Sequence, residues 1–206
     1  GHAGAEYDAW LINIGEGDQF SSGFVGANPN SKIPALVDRS GAEPIRVFES
    51  GAILIHLAEK FGAFLPKDPA RRAETLSWLM WQMGGFGPML GQNHHFNHYA
   101  PEKIPYAMKR YTDETHRLYG VLNKRLADRE YVAGAYSIAD MAILGWARLW
   151  ERQGMDITEF PHVKRWLDAL LARPAVQRGL AVSKEVRREV ATDEDAKKVL
   201  FGQRAR

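Results

Sequence analysis

The apolar positions after residue 50 repeat with the period of an α-helix. Ile53, Leu54, Leu57 and Phe61 fall on one helical face. Ser50 precedes them, and serine is a favoured N-cap because its hydroxyl accepts a hydrogen bond from the backbone of the first turn. The pattern predicts a helix that is capped by Ser50.

From about Arg71 onward the pattern is helical throughout. A long helix is predicted by one apolar face, which is made of Met108, Tyr111, Thr115, Leu118, Leu122 and Leu126. Another helix is predicted to begin at Ser137, since Ser137 and Asp140 have the spacing of a capping box. We expect Ser137 and Asp140 to serve structure rather than ligand binding.

The first part of the chain instead mixes strand and helix patterns. Strands are predicted at residues 7–13, 35–38 and 45–48, the last two on either side of a turn at Ser40-Gly41. The change of pattern predicts three regions and a linker: an α/β domain at 1–64, a linker at 62–69, an all-helical domain at 70–182 and a C-terminal extension at 183–206.

Composition narrows the class of protein. The 206 residues are 45% hydrophobic and carry a formal net charge of +2, with positive and negative residues interleaved. This balance disfavours a nucleic-acid binder. No apolar run is long enough to cross a bilayer, and residues 1–4 lack the pattern of a signal peptide. We expect a cytoplasmic protein with no nucleic-acid or membrane partner.

The sequence contains no cysteine. Redox chemistry through a Cys-x-x-Cys pair of the protein is therefore excluded. If this protein acts on thiols or disulfides, the reacting thiol arrives with a ligand.

The segment around Pro34 predicts a binding surface. Ile33-Pro34 opens an apolar run, and a proline at a strand edge leaves backbone groups facing outward. A helix that begins at Ser50 would direct backbone N–H groups at a ligand carboxylate, and Glu49 is placed to hold a ligand amine. An amine, a carboxylate and a peptide backbone together describe a small amino-acid conjugate. The alternatives are a core-strand role for Ile33 and a simple helix cap at Glu49 and Ser50.

Segments from both ends of the chain carry a family resemblance. They are Gly4-Ala5-Glu6-Tyr7-Asp8-Ala9-Trp10, Gly17-Asp18-Gln19-Phe20-Ser21-Ser22-Gly23-Phe24, residues 28–36, residues 45–51, Leu57-Ala58-Glu59-Lys60-Phe61-Gly62, Ile138-Ala139-Asp140-Met141-Ala142 and Arg173-Pro174-Ala175-Val176. Through them the sequence resembles cytosolic glutathione transferases, in particular the bacterial nu-class proteins with glutathione-dependent disulfide reductase activity.

The resemblance implies a fold and an activity. The fold is a thioredoxin-like α/β domain followed by an all-α helical bundle. The protein would be a homodimer that uses glutathione and no metal. The thiol of bound glutathione would attack a small electrophile or a disulfide. One route to disulfide reduction uses two glutathiones at one site. In the family the first strand and helix, with the residue that activates the thiol, precede the position of Gly1. No catalytic residue is therefore assigned within this chain.

The resemblance also implies roles in the first domain. The backbone of Ile33, before a cis-Pro34 of structural role, would meet the cysteinyl part of glutathione. Glu49 and Ser50 would hold its γ-glutamyl end. Lys32 and Gln19 would meet its glycine carboxylate. The alternative for Lys32 is a solvated loop lysine.

Two further roles are implied in the helical domain. Arg110 would reach a glutathione carboxylate, where its planar fork suits bidentate pairing. The alternative is an exposed arginine paired with Glu114. Gly84 would contribute a backbone contact to the bound glutathione from across the dimer interface, or it would simply stop a helix. A non-catalytic binding module that kept this fold remains the alternative for the whole protein.

Two other features carry weaker hypotheses. His94, His95 and His98 have the residue type of a metal site, but no carboxylate stands at ligand spacing, and Gly91-Gln92-Asn93 favours a polar loop near the substrate. The tail at residues 193–203 resembles the nu-class C-terminal extension. It would cover the cleft, with Leu200 and Phe201 docking, or it would be a frayed terminus.

Overall fold

A computed structural model describes residues 6–182 and 194–202. The chain packs into two units, one formed by residues 1–57 with 180–206 and the other by residues 58–179. The helices and strands are α1 (Ser22–Ala27), β1 (Ala35–Asp38), β2 (Ile45–Phe48), α2 (Ser50–Phe61), α3 (Pro69–Trp81), α4 (Gly87–His94), α5 (Pro105–Arg125), α6 (Ile138–Ala147), α7 (Pro161–Leu171), α8 (Pro174–Ala181) and α9 (Glu194–Phe201).

The first unit is built around an antiparallel hairpin. β1 pairs with β2 in a register that sets Ala35 opposite Phe48 and Asp38 opposite Ile45. Both strands were predicted with these bounds, and both are confirmed. The Nε2 atom of His56, on α2, lies 2.9 Å from Oδ2 of Asp38. This contact ties the helix to the far end of β1.

The strand predicted at residues 7–13 is wrong, because the described part of this segment has no regular secondary structure. Among residues 6–182 and 194–202, the two strands of the hairpin pair only with each other. An extended segment without a ladder partner cannot satisfy its backbone as a strand does. Three of its large apolar side chains, those of Tyr7, Trp10 and Leu11, are exposed, Trp10 by 82%.

The second unit is helical, as predicted. α5 covers the predicted long face, and Thr115, Leu118 and Leu122 are buried along it. The core of the unit is made of large side chains with almost no exposure, namely Leu79, Phe86, Leu90, Tyr119, Ile143, Trp166 and Leu170. Burial of an aliphatic or aromatic side chain contributes about 1.5–3 kcal/mol, so this helical core dominates the stability of the unit.

Asp140 anchors the start of α6. The predicted capping box with Ser137 is present. The Oδ2 atom of Asp140 accepts from the Ser137 amide at 3.0 Å, and Oδ1 accepts from the Val132 amide at 3.0 Å and from Nε1 of Trp166 at 2.9 Å. Burial raises the pKa of this carboxyl, and the hydrogen bonds oppose that rise. Asp140 thus ties α6 to α7 and to the loop before it.

The segment around α4 differs from two expectations. Gly84 lies inside a π-helical turn (Gln82–Phe86) that leads directly into α4, so the helix-stop alternative is wrong. The loop expected at residues 91–93 is also wrong, because these residues belong to α4. A Cβ on Gly91 would lie 3.2 Å from Cη2 of Trp146, and Gly87 faces the same indole. These glycines allow close packing of α4 on α6 instead of breaking a helix.

Within residues 6–182 and 194–202, no helix is long and apolar enough to cross a membrane.

Candidate binding site

Four of the predicted binding residues, Lys32, Ile33, Glu49 and Ser50, lie at one end of the hairpin. Ala35 faces Phe48 in the β1–β2 register, so Pro34 and Glu49 are the next residues outward on the two strands. The Ile33–Pro34 peptide bond is cis, as expected. Ile33 lies outside the β1–β2 ladder and is 50% exposed. The core-strand alternative for Ile33 is therefore wrong.

Glu49 forms the junction between β2 and α2. Its φ is 67°, in the left-handed region that costs a residue with a Cβ about 1–2 kcal/mol. Its carbonyl accepts the first helical hydrogen bond, from Ile53 at 3.0 Å. Glu49 is thus the N-cap and Ser50 the first helical residue, so the prediction of Ser50 as N-cap is wrong by one position. Strained backbone of this kind is concentrated at functional sites.

The side chain of Glu49 is exposed and has no hydrogen bond or ion pair to any described residue. Beside it, the first turn of α2 has backbone N–H groups that a helix cannot pair internally and that favour a negative charge. A carboxylate and a helix N-terminus side by side can hold an amine and a carboxylate of one ligand. A helix therefore begins where the sequence predicted a binding role, and the contact of Ser50 with a ligand stays a prediction.

Asn28 is a residue that the sequence reasoning missed. Its side chain is 1% exposed. Its amide donates to the carbonyl of Lys32, and its Oδ1 accepts from the Asn30 amide at 2.9 Å. The carbonyl of Asn28 also accepts from the Ser31 amide at 3.1 Å. Asn28 therefore fixes the loop that leads into Ile33. The Asn-Pro pair at residues 28–29 is a turn signal that could have indicated it.

Gln19 is placed differently from its predicted role. The side chain is 1% exposed, and its Nε2 donates to the carbonyl of Ile14 at 3.2 Å. Its Oε1 is buried and has no partner among the described residues. One of the two amide N–H donors of Gln19 is thus engaged inside the protein. Its contact with the glycine carboxylate stays a prediction. Lys32, by contrast, is exposed next to Ile33.

Arg110 and Gly84 belong to the second unit. The Nη1 atom of Arg110 lies 3.8 Å from Oε2 of Glu114, and the Arg110 side chain is 55% exposed. Glu114 is held mainly by Arg117, whose Nε and Nη2 donate at 2.8 and 2.7 Å, and this hydrogen bonding lowers the pKa of Glu114. The ion pair named as the alternative for Arg110 is thus present but long. Gly84 is exposed, and both binding roles stay predictions.

The histidine segment is helical. His95–Tyr99 forms a second π-helical turn after α4. The His94 and His98 rings are 4.8 Å apart, and Nε2 of His98 contacts the carbonyl of Arg152. Burial lowers the pKa of His94, and the positive charges of His98 and Arg152 lower it further. Among the described residues no group of three or more His, Cys, Asp or Glu is arranged to hold a metal ion.

Comparison with known proteins gives the family of this chain. The family model for the glutathione S-transferase N-terminal domain matches residues 1–59, and that for the C-terminal domain matches residues 94–174. The chain is 53% identical over 182 residues to the disulfide-bond oxidoreductase YfcG of Escherichia coli K12, covering 85% of each chain. It is 55% identical over 193 residues to YghU, another disulfide-bond oxidoreductase of that organism, covering 89% of this chain and 67% of YghU.

Solved structures of glutathione transferases have the same fold as this chain. A glutathione transferase from Burkholderia graminis, with two glutathione molecules bound per subunit, matches with a TM-score of 0.84 at 43% identity, over 89% of this chain and 80% of that one. A glutathione transferase from Pseudomonas putida, with one glutathione disulfide per subunit, also has a TM-score of 0.84 at 43% identity, over 88% and 83% of the two chains. The chain belongs to the glutathione S-transferase family. The resemblance and the fold class predicted from the sequence are confirmed.

Proposed function

We propose that this protein is a glutathione-dependent disulfide-bond reductase. The observation that carries the proposal is the hairpin end, where Ile33-cis-Pro34 lies beside Glu49 and the start of α2. The names of the relatives support the same activity, since YfcG and YghU are disulfide-bond oxidoreductases.

The binding mode follows from the chemistry of glutathione. Its γ-glutamyl end carries an amine and a carboxylate on one carbon. The amine pairs with the exposed carboxylate of Glu49, and the carboxylate accepts backbone N–H groups of the first turn of α2, beginning at Ser50. The cysteinyl amide exchanges backbone hydrogen bonds with Ile33. Lys32, next in the chain, attracts the glycine carboxylate.

The chemistry needs two glutathiones, because the chain has no cysteine. A glutathione thiolate attacks one sulfur of the substrate disulfide, forming a mixed disulfide and releasing the other substrate sulfur as a thiolate, which takes up a proton. A second glutathione thiolate then attacks the glutathione sulfur of the mixed disulfide. This step gives glutathione disulfide and the second substrate thiol. Two thiols are oxidised and one disulfide is reduced, so electrons balance.

A homodimer in the cytoplasm, with Gly84 at the interface and Arg110 reaching a glutathione carboxylate, completes the proposal. These parts rest on the family resemblance. Size-exclusion chromatography with light scattering tests the dimer, and an Arg110→Ala variant tests the arginine through its KM for glutathione.

Turnover distinguishes reductase from transferase. A small model disulfide is offered with glutathione, and glutathione disulfide is measured as the product; an aryl halide is offered in parallel. We expect disulfide turnover that requires glutathione. Conjugation of the aryl halide without disulfide turnover would contradict the reductase assignment, and glutathione binding without either reaction would favour the non-catalytic binding module.

A matched pair of variants locates the site. Glu49→Gln removes the carboxylate at the binding end of the hairpin. Glu43→Gln removes an exposed carboxylate in the turn at the other end. We expect the first to raise the KM for glutathione about tenfold or more, the value of one charged hydrogen bond, and the second to leave it unchanged. Equal effects of the two changes would remove the basis for the site.

A further inference from the structure

The loop at residues 13–20 is held by its own hydrogen bonds. The Asn13 amide donates to Oδ2 of Asp18 at 2.8 Å, and the Asp18 amide donates to the carbonyl of Asn13 at 3.3 Å. The buried Gln19 side chain folds back onto the carbonyl of Ile14. Gln19 is thus bonded to Ile14, the neighbour of Gly15, within one compact loop. We therefore expect a shift of Gly15 to move Gln19.

Helix α9 packs directly on this loop. A Cβ on Gly15 would lie 3.2 Å from the Cβ of Ala196, which is itself 6% exposed. A Cβ on Gly17 would lie 4.0 Å from Cγ1 of Val199, one helical turn further along α9, and Gly17 has a φ of 92° that other residues rarely adopt. The helix thus approaches the loop closely at two glycines, one on each side of Glu16.

The contact leaves little room for change. A Cβ added to Gly15 would lie 3.2 Å from the Cβ of Ala196, which is shorter than an ordinary van der Waals contact of about 3.5–4.0 Å between carbon atoms. Packed interfaces of this kind shift as a whole when a methyl group is inserted. The expectation that the tail is a frayed terminus is wrong for residues 194–201, which form α9 with Ala196 buried against the loop. Phe201, expected to dock, is 48% exposed. Residues 193 and 203 of the tail lie outside the described residues.

We propose that α9 is a positioning element for glutathione binding: through Ala196 on Gly15, it sets the loop that holds Gln19. The inference rests on the proposed function and on the predicted contact of Gln19 with glutathione. Gln19 has a buried oxygen without a partner among the described residues, so a small displacement of the loop changes which groups this amide can bond. The C-terminal helix then acts on affinity for glutathione without touching the ligand.

The contact can be broken and restored by exchanging one methyl group. Gly15→Ala inserts a Cβ against Ala196, and Ala196→Gly removes the opposing Cβ. The double variant carries the methyl group on the other side of the same contact. Gly23→Ala is the matched control, because Gly23 lies in α1 of the same unit and an added Cβ there meets nothing within 4 Å.

The readouts are the Kd for glutathione by calorimetry and the melting temperature, both on the full chain. We expect Gly15→Ala to raise the Kd about fivefold, since small misplacements of binding groups are costly. The double variant recovers most of that loss relative to Gly15→Ala, and Gly23→Ala keeps the wild-type Kd. Recovery by the second change is what a mere loss of stability would not give, because Ala196→Gly by itself weakens α9.

Three outcomes would overturn the inference. Gly15→Ala with the wild-type Kd would do so, even with a lowered melting temperature. A raised Kd that the double variant does not recover would do so as well. In both cases the wild-type protein binds glutathione and the proposed function stands. Wild-type protein that gives no heat with glutathione would overturn the proposed function and this inference with it.

Discussion

Two carboxylates stand at the starts of helices in this protein, and their surroundings are opposite. Asp140, at the start of α6, is fully buried and accepts hydrogen bonds from a capping residue, a loop amide and an indole of the chain itself. Glu49, at the start of α2, is exposed, has no side-chain partner among the described residues and has a positive φ.

The difference separates structure from function. A buried carboxylate whose oxygens are bonded within the chain has little left for a ligand, and its loss exposes several donors to an apolar surrounding. An exposed carboxylate on strained backbone contributes little to folding, so a ligand is the natural use for it. We therefore expect changes at Asp140 to act on stability and, under the proposed function, changes at Glu49 to act on binding.

The largest expected effect is on stability at Asp140. Asp140→Ala leaves the Val132 amide and Nε1 of Trp166 buried without an acceptor, so we expect a loss of about 3 kcal/mol or more in the free energy of unfolding. Chemical denaturation measures it, with Asp113→Ala, an exposed residue paired with Lys109 on α5, as control. The folded fraction keeps its affinity for glutathione. A stable variant with lost affinity would reverse the comparison.

Glu49→Gly is expected to move stability and binding in opposite directions. Glycine adopts a φ of 67° without penalty, so the free energy of unfolding rises by up to about 1 kcal/mol, while affinity for glutathione falls with the carboxylate. Ser31→Gly is the control, because Ser31 has a φ of 53° and no assigned contact with the ligand. It gains stability and keeps affinity. Lowered stability in Glu49→Gly would contradict the strain assigned here.

Asn28 lies between these extremes, since it is buried and also shapes the binding loop. Asn28→Ala removes the bonds to Lys32 and Asn30, and we expect a loss of about 1–2 kcal/mol in stability together with a raised Kd for glutathione. Asn30→Ala changes an exposed neighbour and serves as control. Thermal melts and titration of the two variants in parallel check this. A loss of stability with an unchanged Kd would make Asn28 purely structural.

The smallest effect concerns pH. The pKa of His94 is lowered from its ordinary value of 6.5, chiefly by burial. The unfolded chain then binds the proton more readily than the folded chain, so stability is fully present above pH 6.5 and falls as the pH drops through the lowered pKa. We expect His94→Gln to reduce the fall in the free energy of unfolding between pH 7 and pH 5. Denaturation at a series of pH values measures it, and an unchanged slope would contradict the assignment.

Local patterns in the sequence predicted much of the fold. β1 and β2, the long face of α5 and the capping box at Ser137 each depend on residues close in the chain. The strand at residues 7–13 failed because alternation of side chains does not supply a ladder partner. The glycines of α4 were misread because their purpose, contact with Trp146, involves a helix far along the chain.

Part of the geometry of the candidate site also follows from local patterns. Ile33-Pro34 and Glu49 are adjacent to strands whose pairing brings them together. The N-cap position was missed by one residue, because the positive φ of Glu49 is set by the hairpin and cannot be read from the residue type. The close approach of Ala196 to Gly15 joins segments about 180 residues apart, and no local pattern reports such packing.

The central claim is that the carboxylate of Glu49 holds the ligand's amine, and a chemical change on the ligand tests it most directly. Glutathione and an analogue that lacks the γ-glutamyl amine are titrated into wild-type protein and Glu49→Gln. We predict that the wild-type protein binds glutathione about tenfold more tightly than the analogue, whereas Glu49→Gln binds the two equally. The same preference in both proteins would show that the amine is held elsewhere and would contradict the account.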